Sequence, residues 1–311
     1  MRIVRALLIY FVAVFAGGAL LAPCLYWLVQ AVAPHSHFAA SPFHRYVDRC
    51  LMGLAIIGIW PLFRAIGAKS FKDLGLVKPS GQWGQLGKGF ALGIASFALV
   101  AGIAILGHGR QLNPEWSSQF TVKLVRDTAI AMVVVPVLEE ILFRGALFGA
   151  LRKAGNWRVA LVVSSMVYAF VHFLSGKNVD PTGPIQWYSG LEVLPKMLGG
   201  SSQLEADAFG SVIRGFITLT LAGMILALAY QRSGNLYFSM GLHGGWIFWN
   251  LKFYRVLTTP VNGADKWVWG GDNPTEGLLA MGVMAAIWLA MAMTGAKGSP
   301  STQASPPGEG E

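Results

Sequence analysis

The chain has 311 residues, of which 54% are hydrophobic and only 13% are charged. Soluble domains carry roughly 25% charged residues, so this composition indicates a polytopic membrane protein and excludes an ordinary soluble enzyme. The formal net charge is +9, but the basic residues are scattered and no soluble basic domain carries them. We therefore expect the lipid bilayer, and no nucleic acid, among the partners of this chain.

Eight hydrophobic segments follow one another, and each has roughly the 20 residues that a helix needs to cross the hydrocarbon core. This pattern predicts an all-α fold, a polytopic membrane bundle of about eight transmembrane helices. The first segment follows Arg2 and Arg5 and contains Pro23-Cys24, a poor match to a cleaved lipoprotein signal, so we expect a retained helix. The segments cover residues 6–31, 50–67, 88–107, 127–151, 157–175, 211–230, 234–254 and 276–294.

Three connections between these segments have recognisable character. Residues 68–87 mix lysines and glycines with large apolar side chains, which predicts a piece that lies on the membrane surface. Residues 176–210 are typical of an irregular loop with one short helix near residues 191–197. Residues 255–275 hold two tryptophans, which favours a loop at the headgroup level.

Clusters of basic residues predict the orientation. Eight crossings place both termini on one side of the membrane, together with the second-to-third and fourth-to-fifth connections. Cytoplasmic connections are enriched in Lys and Arg, so we expect both termini to be cytoplasmic. The clusters are Arg64, Lys69, Lys72, Lys78 and Lys88, then Arg152, Lys153 and Arg158.

Three charged residues interrupt the fourth segment: Glu139, Glu140 and Arg144. Each costs roughly 2.5–3.5 kcal/mol near the bilayer centre, so such groups indicate a functional site. On an α-helix Glu140 and Arg144 can form an ion pair four residues apart, while Glu139 points ~100° away from Glu140. Pro136 predicts a kink one turn before the pair. Glu139 is thus the candidate general base, and a purely structural acid–base cluster is the alternative.

Two histidines lie in other apolar segments. His172 lies near the end of the fifth segment, one helical turn after Tyr168, and His243 lies in the seventh among Gly241, Gly244 and Gly245. Each histidine alone has a structural interpretation, and the glycines also suit close helix packing. Together with two glutamates and an arginine they indicate one hydrated pocket equipped for hydrolysis. The other histidines, at positions 35, 37, 44 and 108, fall in predicted loops and are expected to be solvated.

The run Glu139-Glu140-Ile-Leu-Phe143-Arg144 resembles the E-E-x-x-F-R motif of the CAAX-processing and bacteriocin-processing (CPBP, abortive-infection) membrane endopeptidases. His172 and His243 match the histidines of that family's later motifs in order and spacing. Two positions depart from the pattern: Tyr168 stands where phenylalanine is common, and Ile247 stands where Asn or Asp follows the last histidine.

The resemblance covers residues 122–254 and implies a catalytic core there. Residues 1–121 then form N-terminal transmembrane helices and loops, residues 255–294 a loop and the last transmembrane helix, and residues 295–311 a disordered tail. It also implies a multi-pass protein of a bacterial cytoplasmic membrane.

The resemblance further implies that Glu139 and His172 activate a water molecule and that His243 stabilises the oxyanion of a peptide-bond hydrolysis. The substrate would be a membrane-associated peptide or protein, of the CAAX type or related to bacteriocins. Ile247 cannot supply the amide that usually assists the last histidine. Either Trp246, a backbone N–H or Asn250 compensates, or activity is reduced; Asn250 lies about 10 Å further along the helix.

Three alternatives stay open from the sequence. Glu139, His172 and His243 are a sufficient ligand set for a divalent metal such as zinc, although the sequence favours metal-free water activation. A proton-coupled transporter also places such groups in the membrane, but no internal repeat supports it. A non-catalytic membrane scaffold of the same fold is the third alternative, because of Ile247.

Overall fold

The computed structural model describes residues 2–173, 179–199, 206–249, 253–262 and 264–294. The described chain is helical almost throughout, which confirms the predicted all-α membrane bundle. The α-helices are α1 Arg2–Val32, α2 Phe43–Ala65, α3 Trp83–Leu106, α4 Trp116–Gln119, α5 Val122–Glu139, α6 Gly149–Ala154, α7 Trp157–His172, α8 Ser189–Gly199, α9 Ala206–Ser233, α10 Tyr237–Phe248, α11 Tyr254–Leu257, α12 Lys266–Trp269 and α13 Leu278–Thr294. The other elements are 3₁₀ turns Phe71–Leu74 and Pro274–Glu276, a π-helix Glu140–Phe148, and antiparallel strands β1 Arg110–Leu112 and β2 Thr258–Pro260.

Within the described residues, every predicted hydrophobic segment overlaps a helix of the structure, and residues 174–175 and 250–252 of the fifth and seventh segments lie outside the described residues. Among the described residues, four helices are long and apolar enough to cross a membrane: α1 from Ile3, α2, α3, and α9 from Phe209. Helices α7 and α13 are shorter and apolar. The fourth predicted segment lies on the continuous run of α5, the π-helix and α6, and the seventh begins with α10. Helix α10 is short and apolar on every side, which suits a helix enclosed by others.

The connections meet at two ends of the bundle. At one end, the Leu236 N–H donates to the Gly75 carbonyl over 3.0 Å, and Arg152 Nη1 donates to Gln231 Oε1 over 2.9 Å. We call this the basic end; it comprises residues 66–82, 152–156 and 231–236. Helix α3 starts there and runs 24 residues, about 36 Å at 1.5 Å per residue, to the opposite end.

At the opposite end, Arg110 of β1 donates to Thr258 of β2 through its side chain over 2.8 Å. There the Asp180 carboxylate also accepts from the His44 backbone N–H over 3.0 Å and lies 3.3 Å from His44 Nδ1. The prediction that His44 is a solvated loop residue is therefore wrong. It lies in the first turn of α2, where the carboxylate satisfies a free helix N–H.

Residues 68–82 form a structured connection at the basic end. No crossing was predicted there, and the described segment has none. The surface prediction fails for Leu74, which is 1% exposed and packs with its carbonyl against Gly145 of the π-helix. Gly75 turns at φ +88°, with the Tyr230 ring where a Cβ would be. The last predicted residues of the segment, from Trp83 on, already belong to α3.

Glycines bring α10 into direct backbone contact with α3. A Cβ on Gly241 would collide with the Leu86 carbonyl, and one on Gly245 would lie 2.7 Å from the Phe90 carbonyl and 2.9 Å from Gly93 Cα. Small residues allow such close approach between membrane helices. The predicted glycine seam is thus confirmed, and it fixes the helix that carries His243.

A proline on α5 allows a second close backbone contact of α10, this time with α5. Pro136 has no N–H, so the Met132 carbonyl four residues earlier lacks its usual helical partner. That carbonyl faces Gly244 of α10, where a Cβ would lie 2.7 Å from the oxygen. Helix α10 is therefore held between α3 and α5, and His243 is directed at the end of α5.

Candidate active site

The acidic pair lies at the junction of two helix types. Glu139 ends α5 and Glu140 begins the π-helix, so the predicted α-helix is wrong over Glu140–Phe148. A π-helix closes i→i+5 hydrogen bonds and is frequent at functional sites. The predicted ion pair is nevertheless present, because Glu140 Oε1 lies 3.0 Å from Arg144 Nη1. Glu140 is 0% and Arg144 1% exposed, so this pair is enclosed by protein.

His243 contacts the same carboxylate from α10. Its Nδ1 lies 3.0 Å from Glu140 Oε1, and because a carboxylate accepts, Nδ1 carries the proton of this hydrogen bond. The other ring nitrogen, Nε2, lies 3.4 Å from the Tyr168 hydroxyl. Glu140 thus orients His243, and Arg144 balances the charge of Glu140.

His172 is oriented by its own helix. Its Nδ1 lies 2.8 Å from the Tyr168 carbonyl oxygen, which only accepts, so Nδ1 is again the protonated nitrogen. Its Nε2 faces Glu139 Oε2 at 3.5 Å. A neutral His172 therefore presents a lone pair towards a carboxylate, an arrangement that a water molecule donating to both groups would satisfy.

Glu139 is the carboxylate at which the predicted residues meet. Its Oε2 lies 3.5 Å from His172 Nε2 and 3.8 Å from His243 Nε2. The side chains of Glu139 and His172 are 25% and 28% exposed, whereas Glu140 is fully enclosed. The two neighbouring glutamates therefore differ in access: Glu139 can reach a substrate, and Glu140 cannot.

A cavity of about 240 Å³ between the helices is lined by Glu139, Tyr168, His172 and His243. Its other walls are mostly apolar, and Ile247 is among them, so the position of the missing amide does face the cavity. Trp246 also lines it, but its indole N–H donates to Ser96 Oγ over 3.0 Å. Asn250 lies outside the described residues. The lining residues are Phe97, Ala131, Val135, Glu139, Tyr168, His172, Thr218, Leu219, Ala222, His243, Trp246, Ile247, Thr275 and Met284.

Sequence reasoning missed the hydroxyl residues around the cavity. Thr218 and Thr275 line it, and Ser96 holds Trp246 from α3. Single Ser and Thr residues in apolar helices form no motif, so no sequence signal distinguishes them.

The donor geometry does not favour the zinc alternative. Among the described residues, no group of three or more His, Cys, Asp or Glu side chains is arranged to hold a metal ion. Cys24 and Cys50 are free thiols. The side chains of the acid and histidine cluster can themselves transfer protons and form hydrogen bonds.

Comparison with known proteins identifies the part of the chain that carries this site. The family described as type II CAAX prenyl endopeptidase, Rce1-like, matches residues 121–249. No curated protein and no solved structure matches the chain. The matched range contains both glutamates, Arg144 and both histidines, which agrees with the resemblance predicted from their spacing. Residues 121–249 are therefore a domain of the Rce1-like type II CAAX prenyl endopeptidase family.

Proposed function

We propose that this protein is an intramembrane endopeptidase in which Glu139 and His172 activate a water molecule for attack on a peptide bond. The observation that carries the proposal is the approach of Glu139 Oε2 to His172 Nε2 at 3.5 Å, with both side chains lining one cavity. Endopeptidase activity is also the activity of the matched family.

Water placed between these two groups would be polarised by two acceptors. Attack of its oxygen on the carbonyl carbon transfers one proton to Glu139 and leaves a tetrahedral oxyanion. Glu139 then returns the proton to the leaving amine as the C–N bond breaks. General base catalysis of this kind contributes typically 10²–10⁴-fold in rate.

His243 is the proposed electrophile for the oxyanion. When protonated, it keeps its Nδ1–H on Glu140 and presents Nε2–H towards the cavity. The Glu140 carboxylate accepts the hydrogen bond of the imidazolium, and Arg144 holds Glu140 in place. Stabilisation of an oxyanion by one such donor is worth roughly 3–4 kcal/mol.

The apolar cavity walls support a substrate that enters from the membrane. Phe97, Leu219, Ala222 and Met284 line the space beyond Glu139, and they suit an apolar peptide segment. We propose a membrane-associated peptide or protein as substrate, with CAAX-type processing as the specific activity.

The test compares purified parent protein with Glu139→Ala and Glu139→Gln in proteoliposomes, using prenylated CAAX peptides and mass spectrometry of the products. We expect both variants to insert and fold but to lose cleavage by at least about 100-fold. Glu192→Gln, which alters an exposed acid on α8, is the matched control and should cleave at the parent rate.

Cleavage by Glu139→Gln at the parent rate would refute the assignment of the base. A bound peptide with no product from parent or variant would favour the scaffold alternative, and proton flux in the same liposomes would favour the transporter. A chelator arm tests the metal alternative, because metal-free hydrolysis is unaffected by its addition. The same comparison on membrane peptides from cells would identify the natural substrate.

A further inference from the structure

The two positions that depart from the family pattern, Tyr168 and Ile247, both lie close to His243. Tyr168 adds a hydroxyl where phenylalanine is common, and this hydroxyl lies 3.4 Å from His243 Nε2. Ile247, one turn after His243, removes the amide and lines the same cavity. The position one turn after His243 thus has no hydrogen-bonding group, while α7 presents a hydroxyl to the same histidine.

Other hydrogen-bond donors along the described cavity wall are already engaged. The Trp246 indole N–H donates to Ser96, whose hydroxyl donates to the Gly93 carbonyl over 2.9 Å. Thr218 Oγ1 donates to the Arg214 carbonyl, and Thr275 Oγ1 donates to Asn273 Oδ1, each over 2.8 Å. These protons are unavailable to a substrate.

Among the hydrogen bonds of the described residues, the acceptor near the Tyr168 hydroxyl is His243 Nε2, which can accept while His243 is neutral. In that state the hydroxyl donates to the Nε2 lone pair. Once Nε2 is protonated it can no longer accept, so the phenol must direct its hydrogen elsewhere. In a reacting complex, the oxyanion that Nε2–H also faces offers the phenol a new acceptor.

The surroundings hold the phenol in place for this task. The ring is 3% exposed, with the Arg144 guanidinium 4.3 Å from its centroid on one side. The Phe143 ring meets it edge to face at 5.1 Å, and His172 packs at 4.2 Å. A donor held this firmly needs little reorganisation when charge develops, which is what oxyanion stabilisation requires.

We propose that Tyr168 is a catalytic residue whose hydroxyl donates a second hydrogen bond to the oxyanion, in place of the amide that Ile247 cannot provide. This inference rests on the proposed function. No bond is formed or broken by the phenol, since it keeps its proton throughout.

The experiment measures kcat and KM for Tyr168→Phe, Ile247→Asn and the double variant. We expect Tyr168→Phe to lower kcat by about 100-fold, as removal of an oxyanion donor does, with KM within about threefold. The double variant should recover at least about tenfold of this loss, because the new amide faces the same cavity. Tyr237→Phe removes a phenol that donates to the Val77 carbonyl away from the cavity, and it should retain the parent kcat.

A peptide phosphonate that mimics the tetrahedral state gives a second readout by calorimetry. The affinity for the phosphonate should fall in Tyr168→Phe in parallel with kcat/KM. When Tyr168→Phe is added to the inactive Glu139→Gln protein, the affinity for uncleaved substrate should not change. Equal kcat or equal phosphonate affinity in parent and Tyr168→Phe would overturn the inference. If Glu139→Gln is nevertheless inactive, the proposed function stands and only the role of Tyr168 is refuted. If Glu139→Gln cleaves the peptide at the parent rate, the proposed function itself is refuted.

Discussion

Glu139 and Glu140 are neighbours in sequence but have different environments and different proposed roles. Two cationic or proton-donating groups, Arg144 Nη1 and His243 Nδ1, each lie 3.0 Å from the same oxygen of Glu140. A carboxylate excluded from water needs such partners, since an unpaired buried charge is strongly unfavourable. Glu140 therefore organises the site, and Glu139 is the group left free to react.

Substitution of Glu140 should affect both stability and rate. Glu140→Gln leaves the Arg144 guanidinium buried without its counter-charge, so we expect a loss of about 3–5 kcal/mol in the free energy of unfolding. It also removes the carboxylate that orients His243, which should lower kcat by about 10–100-fold. Unfolding in mixed detergent micelles and the peptide assay measure the two effects.

Glu139→Gln is the comparison for that prediction. It removes a partly exposed acid whose basic partners among the described residues are the two histidines, so stability should stay at or above that of the parent while cleavage is lost. Equal unfolding free energies for Glu140→Gln and Glu139→Gln would contradict the division of roles between the two acids.

The residues of the site were largely predictable, but their contacts were only partly so. The ion pair between Glu140 and Arg144 follows from a spacing of four, and it is present. The bond from His172 to the Tyr168 carbonyl depends on a side-chain rotamer, and the approach of His243 to Glu140 depends on how two helices pack. Neither property is encoded in a local pattern.

At the scale of single elements, the sequence predicted the position of the helix irregularity beside the acids but not its type. Pro136 predicted a kink, and the structure has a π-helix four residues later. An α-helix and a π-helix share the same apolar composition over nine residues, so periodicity does not separate them. The wider turn matters because it carries Glu140 and Arg144.

The contact between α5 and α10 gives a prediction for Gly244. A methyl group there would lie 2.7 Å from the Met132 carbonyl oxygen, so Gly244→Ala should force the helices apart and displace His243. We expect a loss of about 1–3 kcal/mol in stability, typical of overpacking, with a clear drop in kcat. Thermal unfolding and the peptide assay check this.

Gly102→Ala is the matched control on α3, because its Cβ would meet no atom within 4 Å. The extra methyl should be neutral or stabilising by up to about 1 kcal/mol, as alanine favours helix over glycine. Equal behaviour of the two variants would show that α10 has room to adjust and that the glycine at 244 is not required.

The 3₁₀ turn at the basic end gives a pH-dependent prediction. Hydrogen bonds from the backbone N–H groups of Lys69 and Ser70 hold the pKa of Asp73 below its ordinary value. A carboxyl with a depressed folded-state pKa contributes stability that is complete above the ordinary aspartate pKa of about 3.9. The contribution is lost as pH falls from there through the lower folded value.

Hydrogen exchange measures this effect on the turn itself. Protection of the Lys69 and Ser70 amides, corrected for intrinsic exchange, should be constant above about pH 4 and decline below it. Asp73→Asn should reproduce the low-pH protection at neutral pH. Unchanged protection in that variant would mean that the carboxylate does not hold the turn.

For the whole molecule, hydrophobicity predicted the helices because a bilayer demands long apolar segments with internal hydrogen bonds. It did not predict which connections would be structured. Leu74 is buried against the π-helix, and β1 pairs with β2 so that Arg110 lies opposite Pro260, far along the sequence. Such contacts arise from the packed bundle, and only the short helix of the long loop, α8, was visible as a local pattern.

The gathering of connections at two ends suggests a direct test of the predicted orientation. Lys72 is exposed at the basic end, and Asp265 is exposed at the opposite end. In a background with Cys24→Ser and Cys50→Ser, we expect Lys72→Cys to resist an impermeant maleimide on intact cells and to react after permeabilisation. Asp265→Cys should react in both conditions, because it faces the outside if the basic end is cytoplasmic. Activity of each variant confirms that the fold is kept. The reverse labelling pattern would invert the orientation, and labelling of both residues on intact cells would contradict the assignment of these two residues to opposite sides of the membrane.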